Sequence, residues 1–116
     1  MLFRSFLDPR PELVAAAAEA GADRIELYTE AYAKGYAADR KAAIAPYVET
    51  AREAVRYGLG VNGGHDLSLE NLRFFAERIP NLLEVSIGHA LICDAIYLGF
   101  ENTIQLYLKQ LKADAR

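Results

Sequence analysis

At 116 residues the chain has room for one ordinary domain, and 53% hydrophobic residues is too many for a disordered one. A formal net charge of −3 excludes the basic footprint of a nucleic-acid binder. No apolar run reaches the roughly 20 residues that a membrane-spanning helix needs, and the apolar part of "MLFRSFLDPRP" is too short for a secretory signal. The single Cys93 excludes an internal disulfide and fits a reducing compartment, so a cytoplasmic protein without membrane or nucleic-acid partners is expected.

In chain order, "LFRSFL" at 2–7 predicts a short strand broken by Asp8-Pro9. Residues 11–21 predict a helix, with Pro11 in the first turn and Gly21 as its C-terminal cap. "DRIELY" at 23–28 alternates as a strand does. Residues 39–58 read as a helix ending at Gly58, with Pro46 predicting a kink or a late start. "LGVNGG" at 59–64 is a strand running into glycines. Residues 68–79 follow as a helix capped by Ser68 or Asp66. "LLEVSI" at 82–87 is the fourth strand, and residues 90–115 form a long helix bent near Gly99.

The order βαβαβαβα implies parallel pairing, since each helix returns the chain to the same edge. Asp8-Pro9-Arg10-Pro11 after the first strand cannot make the glycine-rich phosphate turn of a dinucleotide fold. A (β/α)₈ barrel needs eight units and roughly 250 residues, whereas this chain offers four units. The fold class expected is therefore α/β, a parallel (βα)4 unit forming half of a TIM barrel, with residues 1–116 a single partial domain. Arg4 and Ser5 interrupt the apolar run of the first strand. That irregular lead-in suggests a fragment of a longer gene product; the alternative is a natural start on an edge strand.

In parallel α/β folds chemistry gathers beyond the C-terminal ends of the strands. Both histidines fall there, His65 after the third strand and His89, with Gly88, after the fourth. If Ile25 and Leu27 face the helices, then Arg24, Glu26 and Tyr28 face the interior of the barrel. Glu26 there is either held in an ion pair, with Arg24 or across strands, or set against a polar intermediate. Asn62 should point inward beside Gly63 and Gly64, which allow close approach of a ligand. His65 on that turn suits a general acid or base near neutral pH, or else caps the next helix. Gly88-His89 opens a helix whose first amides can hold an anion, or Gly88 serves tight strand-to-helix packing. The histidines stand 24 residues apart, which is no recognisable ligand spacing, so no metal site is expected. The aromatic residues of "RIELYTEAYAKGY" and "NLRFFAERIP" read mostly as packing.

The stretches "FLDP", "AGADRIELYTEAYA", "GLGVNGGHDLSLENL" and "LEVSIGHALICDAIYLG", in this order and spacing, resemble the pyridoxine 5′-phosphate synthase family from about Phe6 to the C-terminus. The resemblance implies a TIM barrel of which this chain is strands five to eight. It implies the condensation of 1-deoxy-D-xylulose 5-phosphate with 3-amino-2-oxopropyl phosphate, releasing phosphate and water and forming the pyridine ring of vitamin B6. It implies His65 as proton donor and Glu26 as stabiliser of charge in an intermediate. It further implies that Gly88 and His89 hold the aminooxopropyl phosphate and that Asp66 contacts substrate, through its backbone because some members have glycine there. Phosphorylated small molecules are the partners implied, with no cofactor, and a homo-oligomer for the complete protein. The family's first-strand asparagine and histidine, its basic cluster and its catalytic glutamate have no counterpart here, so the isolated chain is expected to be inactive. "AGADRIELY" is also similar to the copper-homeostasis barrel family, which does not account for "NGGHDL" and "SIGHAL" together. A noncatalytic half-barrel that dimerises to cover its open edges is the alternative from another class.

Overall fold

Two residues with positive φ, Gly21 and Gly58, set the chain up for its second and third strands. In the computed structural model, which describes residues 4–112, each ends a helix in the same way. Gly21 N–H donates to Ala18 O and Ala22 N–H to Ala17 O. Gly58 N–H donates to Val55 O and Leu59 N–H to Ala54 O. These paired bonds satisfy the last carbonyls and need a left-handed residue, which glycine supplies without a Cβ penalty.

The elements are β1 (Arg4–Leu7), α1 (Glu12–Glu19), β2 (Arg24–Tyr28), α2 (Glu30–Arg56), β3 (Gly60–His65), α3 (Leu72–Arg78), β4 (Leu82–Ile87), α4 (His89–Leu98) and α5 (Phe100–Lys112). The four strands form one parallel sheet in the order β1-β2-β3-β4. This is the α/β unit that the alternation of strand and helix predicts. A register shift between Val61 and Asn62 pairs Val61 with Leu82 but Asn62 with Glu84. No helix among the described residues is long and apolar enough to cross a membrane. Residues 2 and 3 of the expected first strand and 113–115 of the expected last helix lie outside the described residues.

The sheet has two unlike faces. Ile25 and Leu27 of β2 and Val61 of β3 are fully buried beneath the helices, with Val14, Tyr47, Leu72 and Phe75. Burying an aliphatic side chain of this size contributes about 1.5–3 kcal/mol, so this face holds the unit together. The alternate residues make a polar inner face in which Phe6, Glu26, Asn62 and Glu84 stand in register across the four strands.

Three helical expectations are corrected. Residues 30–38 are also helical, and the non-helical backbone within α2 lies at Asp39, not at Pro46. Asp39 is extended (φ −161°, ψ 92°), and its Oδ1 accepts a hydrogen bond from Ala42 N–H at 3.2 Å, the geometry of an N-cap opening a second helical segment. The long C-terminal helix is two helices separated at Gly99, φ 85°. The turn before α3 is closed by Asn71, not by the side chain of Ser68 or Asp66. Asn71 Oδ1 accepts from Ser68 N–H at 2.8 Å, and its Nδ2 donates to Asp66 O at 3.4 Å.

Candidate functional site

The parallel register brings the singled-out residues to one end of the sheet. His65 pairs with Ile87, so Gly88 stands one residue further along the neighbouring strand; adjacent strands are about 4.8 Å apart. His65 and Gly88-His89 therefore share the C-terminal edge of β3 and β4, with Tyr28 ending β2 beside them. Tyr28 and His65 rings meet edge to face at 6.0 Å, and Phe6 stacks on Tyr28 at 5.9 Å.

Glu26 is 2% exposed, on the inner face. Its partner is Arg4 of β1, with Arg4 Nη1 donating to Glu26 Oε1 at 3.3 Å. Arg24 turns instead to Glu84, at 2.8 Å, and to Asn62 Oδ1, at 3.4 Å. The expected ion pair across strands is thus present, but with Arg4 rather than Arg24. It leaves Glu26 Oε2 facing His65 Nε2 at 3.8 Å, too long for a hydrogen bond. Asn62 is buried, and its Nδ2 has no partner among the described residues. A buried donor without an acceptor is costly, so the inner face carries an unmet hydrogen bond close to Glu26.

The two glycines before His65 divide between the two faces. A Cβ on Gly63 would lie 2.6 Å from the Phe75 ring, in the core. A Cβ on Gly64 would lie 2.6 Å from Glu26 Oε2. Gly64 is what lets a buried carboxylate sit against β3.

His65 itself has φ 90°, uncommon for a residue with a side chain, and 58% of its side chain is exposed. Such a conformation costs of the order of 1–3 kcal/mol and persists only when neighbours hold it. The N-cap position of α3 is Asn71, six residues beyond His65, so the helix-cap alternative for His65 does not hold. Asp66 is exposed, and both of its backbone groups are engaged, N–H with Thr29 Oγ1 at 3.0 Å and C=O with Asn71. The N–H is thus in use, while the carbonyl, with a second lone pair, and the exposed side chain can still meet a substrate.

Gly88 precedes α4 with φ −118° and ψ −78°. Nothing lies within 4 Å of where its Cβ would be, so packing of strand on helix is not what a glycine serves here. The first bond of α4 runs from Ile92 N–H to Gly88 O at 3.0 Å, and the amides before it are those a helix leaves free for an anion. His89 is exposed, with Nε2 3.6 Å from Cys93 Sγ. Among the described residues no group of three or more His, Cys, Asp or Glu is placed to hold a metal ion.

The family described as "Pyridoxal phosphate biosynthesis protein PdxJ" matches residues 2–113. The chain belongs to the PdxJ family. Among curated relatives, the pyridoxine 5′-phosphate synthase of Cytophaga hutchinsonii is 59% identical over 107 residues, covering 92% of this chain and 45% of the relative. That of Flavobacterium johnsoniae is 56% identical over 107 residues, with the same coverage. That of Parabacteroides distasonis is 66% identical over 91 residues, 78% of this chain and 38% of the relative. The chain spans less than half the length of these relatives. PdxJ membership agrees with the resemblance carried by "NGGHDL" and "SIGHAL" and leaves the copper-homeostasis reading without support.

One residue of the candidate site escapes a reading of the sequence. Thr29, fully buried after β2, donates its hydroxyl to Gly64 O at 2.5 Å and accepts from Asp66 N–H. The signal was faint: a threonine at a strand end, in the position of an N-cap for α2, whose hydroxyl makes no cap bond.

Proposed function

We propose that the chain forms strands five to eight of a pyridoxine 5′-phosphate synthase barrel, residues 1–116 being one partial domain completed by a first half of similar size. That barrel joins 1-deoxy-D-xylulose 5-phosphate to 3-amino-2-oxopropyl phosphate and closes the pyridine ring. The observation that carries the reading is the convergence of Glu26, His65 and Gly88-His89 at the C-terminal end of a parallel sheet, in a chain of the PdxJ family. The exposed side chains of Ile96, Tyr97 and Phe100 and the unpaired outer edges of β1 and β4 fit a unit that further strands and helices cover.

Within the site, His65 is the proton donor. Its exposed ring can reach a leaving oxygen, with Glu26 Oε2 lying 3.8 Å behind it. The same carboxylate, held by Arg4 and confined by Gly64, presents a fixed negative charge to a cationic intermediate. The free amides after Gly88, with His89, take the phosphate of the amino ketone. Asp66 offers its carboxylate to a substrate hydroxyl. Proton removal falls to residues of the other half.

The test is a barrel in which this chain is joined to the first half of the Cytophaga hutchinsonii synthase. His65→Ala there should lower kcat by roughly 100- to 10,000-fold, as for loss of a general acid, and move either KM little. Unchanged turnover would remove His65 from the chemistry.

A further inference from the structure

The geometry points to Thr29 as the positioning residue that fixes the His65 imidazole in the site. His65 is bracketed by two hydrogen bonds to one hydroxyl. Thr29 Oγ1 donates to the carbonyl of the residue before it, Gly64, at 2.5 Å. The same oxygen accepts from the amide of the residue after it, Asp66, at 3.0 Å. Thr29 N–H adds a third bond to Gly64 O, at 3.3 Å. Both ends of the His65 residue are thereby tied to β2, and the side chain between them has φ 90°. A turn of this kind relaxes when its restraints go, because a non-glycine residue prefers negative φ.

The anchor is itself anchored. Tyr47, fully buried, donates its hydroxyl to Tyr28 O at 2.7 Å and accepts from Tyr32 N–H at 3.3 Å, holding the chain on both sides of Thr29. Tyr32 in turn donates to Asn71 O at 2.5 Å, and Asn71 holds Asp66 O. Three buried side chains, Thr29, Tyr47 and Tyr32, thus join the β2–α2 and β3–α3 connections. Of these three, Thr29 alone bonds the backbone on both sides of His65. A threonine at the start of a helix ordinarily spends its oxygen on that helix. Here the hydroxyl is turned to the neighbouring strand instead, which a purely local role in α2 does not explain.

The inference rests on the reading of His65 as proton donor, and the experiment separates the two. In this chain, Asp66 N–H should exchange slowly although Asp66 is exposed, and the amide-to-Hα Overhauser effect within His65 should have the strength of a positive φ. Thr29→Val keeps the shape and removes both bonds. It should speed Asp66 exchange by roughly tenfold or more, the loss of one buried hydrogen bond, and weaken that Overhauser effect. Thr29→Ser should restore both. In the joined barrel, Thr29→Val should lower kcat by roughly 10- to 100-fold, the scale of a misplaced catalytic group, with KM for both substrates within about twofold. Thr29→Ser should recover most of the rate. Should Thr29→Val fail to fold, the unsubstituted chain decides: Asp66 exchanging at the rate of an unstructured peptide, or a negative φ at His65, overturns the inference. So does a folded Thr29→Val chain with unchanged Asp66 exchange and unchanged Overhauser effect. If His65→Ala keeps full turnover while Thr29→Val still releases the turn, the proton-donor reading fails and the clamp stands.

Discussion

Gly63 and Gly64 are adjacent in sequence, and adding one methyl group to each should have opposite consequences. Gly63→Ala puts a Cβ 2.6 Å and 3.0 Å from two atoms of the Phe75 ring. Phe75 is fully buried and packed on Tyr32 at 5.1 Å and Tyr47 at 6.0 Å, so it has no room to withdraw. Overpacking of this kind costs about 1–3 kcal/mol, offset in part by the roughly 0.4–1 kcal/mol that alanine gains over glycine through the unfolded chain. Gly64→Ala meets no core side chain. Its Cβ lies 2.6 Å from Glu26 Oε2, and contacts become ordinary only beyond 3.4 Å, so the carboxylate must retreat by roughly 0.8 Å. Displacement of that size at a catalytic group can cost about 100-fold in turnover, while the stability lost is confined to loosening one pair whose Arg4 side chain is 36% exposed. Chemical denaturation and product formation by the joined barrel, well below both unfolding midpoints, should give a crossed pattern. Gly63→Ala loses stability and keeps its specific rate; Gly64→Ala keeps most of its stability and loses rate. If Gly64→Ala turns over normally, or if Gly63→Ala is the slower enzyme at equal folded fraction, Glu26 is not held for chemistry by Gly64.

Two further outcomes follow from the same geometry. Gly88→Val should fold, because nothing lies within 4 Å of the added Cβ, yet raise KM for the amino-ketone phosphate by about tenfold or more by obstructing the amides that face the anion; unchanged Michaelis constants for both substrates would dismiss those amides as the phosphate site. Burial raises the phenols of Tyr32 and Tyr47 above their ordinary value of 10.0. The folded state therefore holds them neutral, and their contribution is intact below about pH 10 and lost as pH rises beyond it, by up to about 1.4 kcal/mol per pH unit for each group. Denaturation midpoints at about pH 8, 10 and 11 should fall steeply only over the last interval, and Tyr32→Phe should flatten that fall; a constant midpoint would contradict it.

The strands and their parallel order were legible because each ends at a residue with a physical reason to end it. Asp8-Pro9 closes β1, and Gly21 and Gly58 end the helices that lead into β2 and β3. Alternation in "RIELY" correctly put Ile25 and Leu27 under the helices and Glu26 opposite. Helical interruptions were harder. Pro46 is the louder breaker in sequence, yet it lies inside the helix, while Asp39 breaks it through a side-chain cap. The partner of Glu26 was ambiguous because Arg4 and Arg24 stand in register on neighbouring strands, and Glu84, distant in sequence, draws Arg24 away. Thr29 was invisible for a related reason. Its role lies in two bonds to residues 35 and 37 positions away, which no local pattern encodes.

The most direct measurement is formation of pyridoxine 5′-phosphate from the two phosphorylated substrates, made with this chain alone and with the joined barrel. A ring closure needs proton removal as well as donation, and Glu26, His65, Asp66, Gly88 and His89 are proposed as a charge stabiliser, a proton donor and binding groups, with no base among them. The predicted result is no turnover by the chain alone and steady turnover once the first half is present. Steady turnover by the isolated chain at the rate of the joined barrel would contradict the division of catalytic labour between two halves.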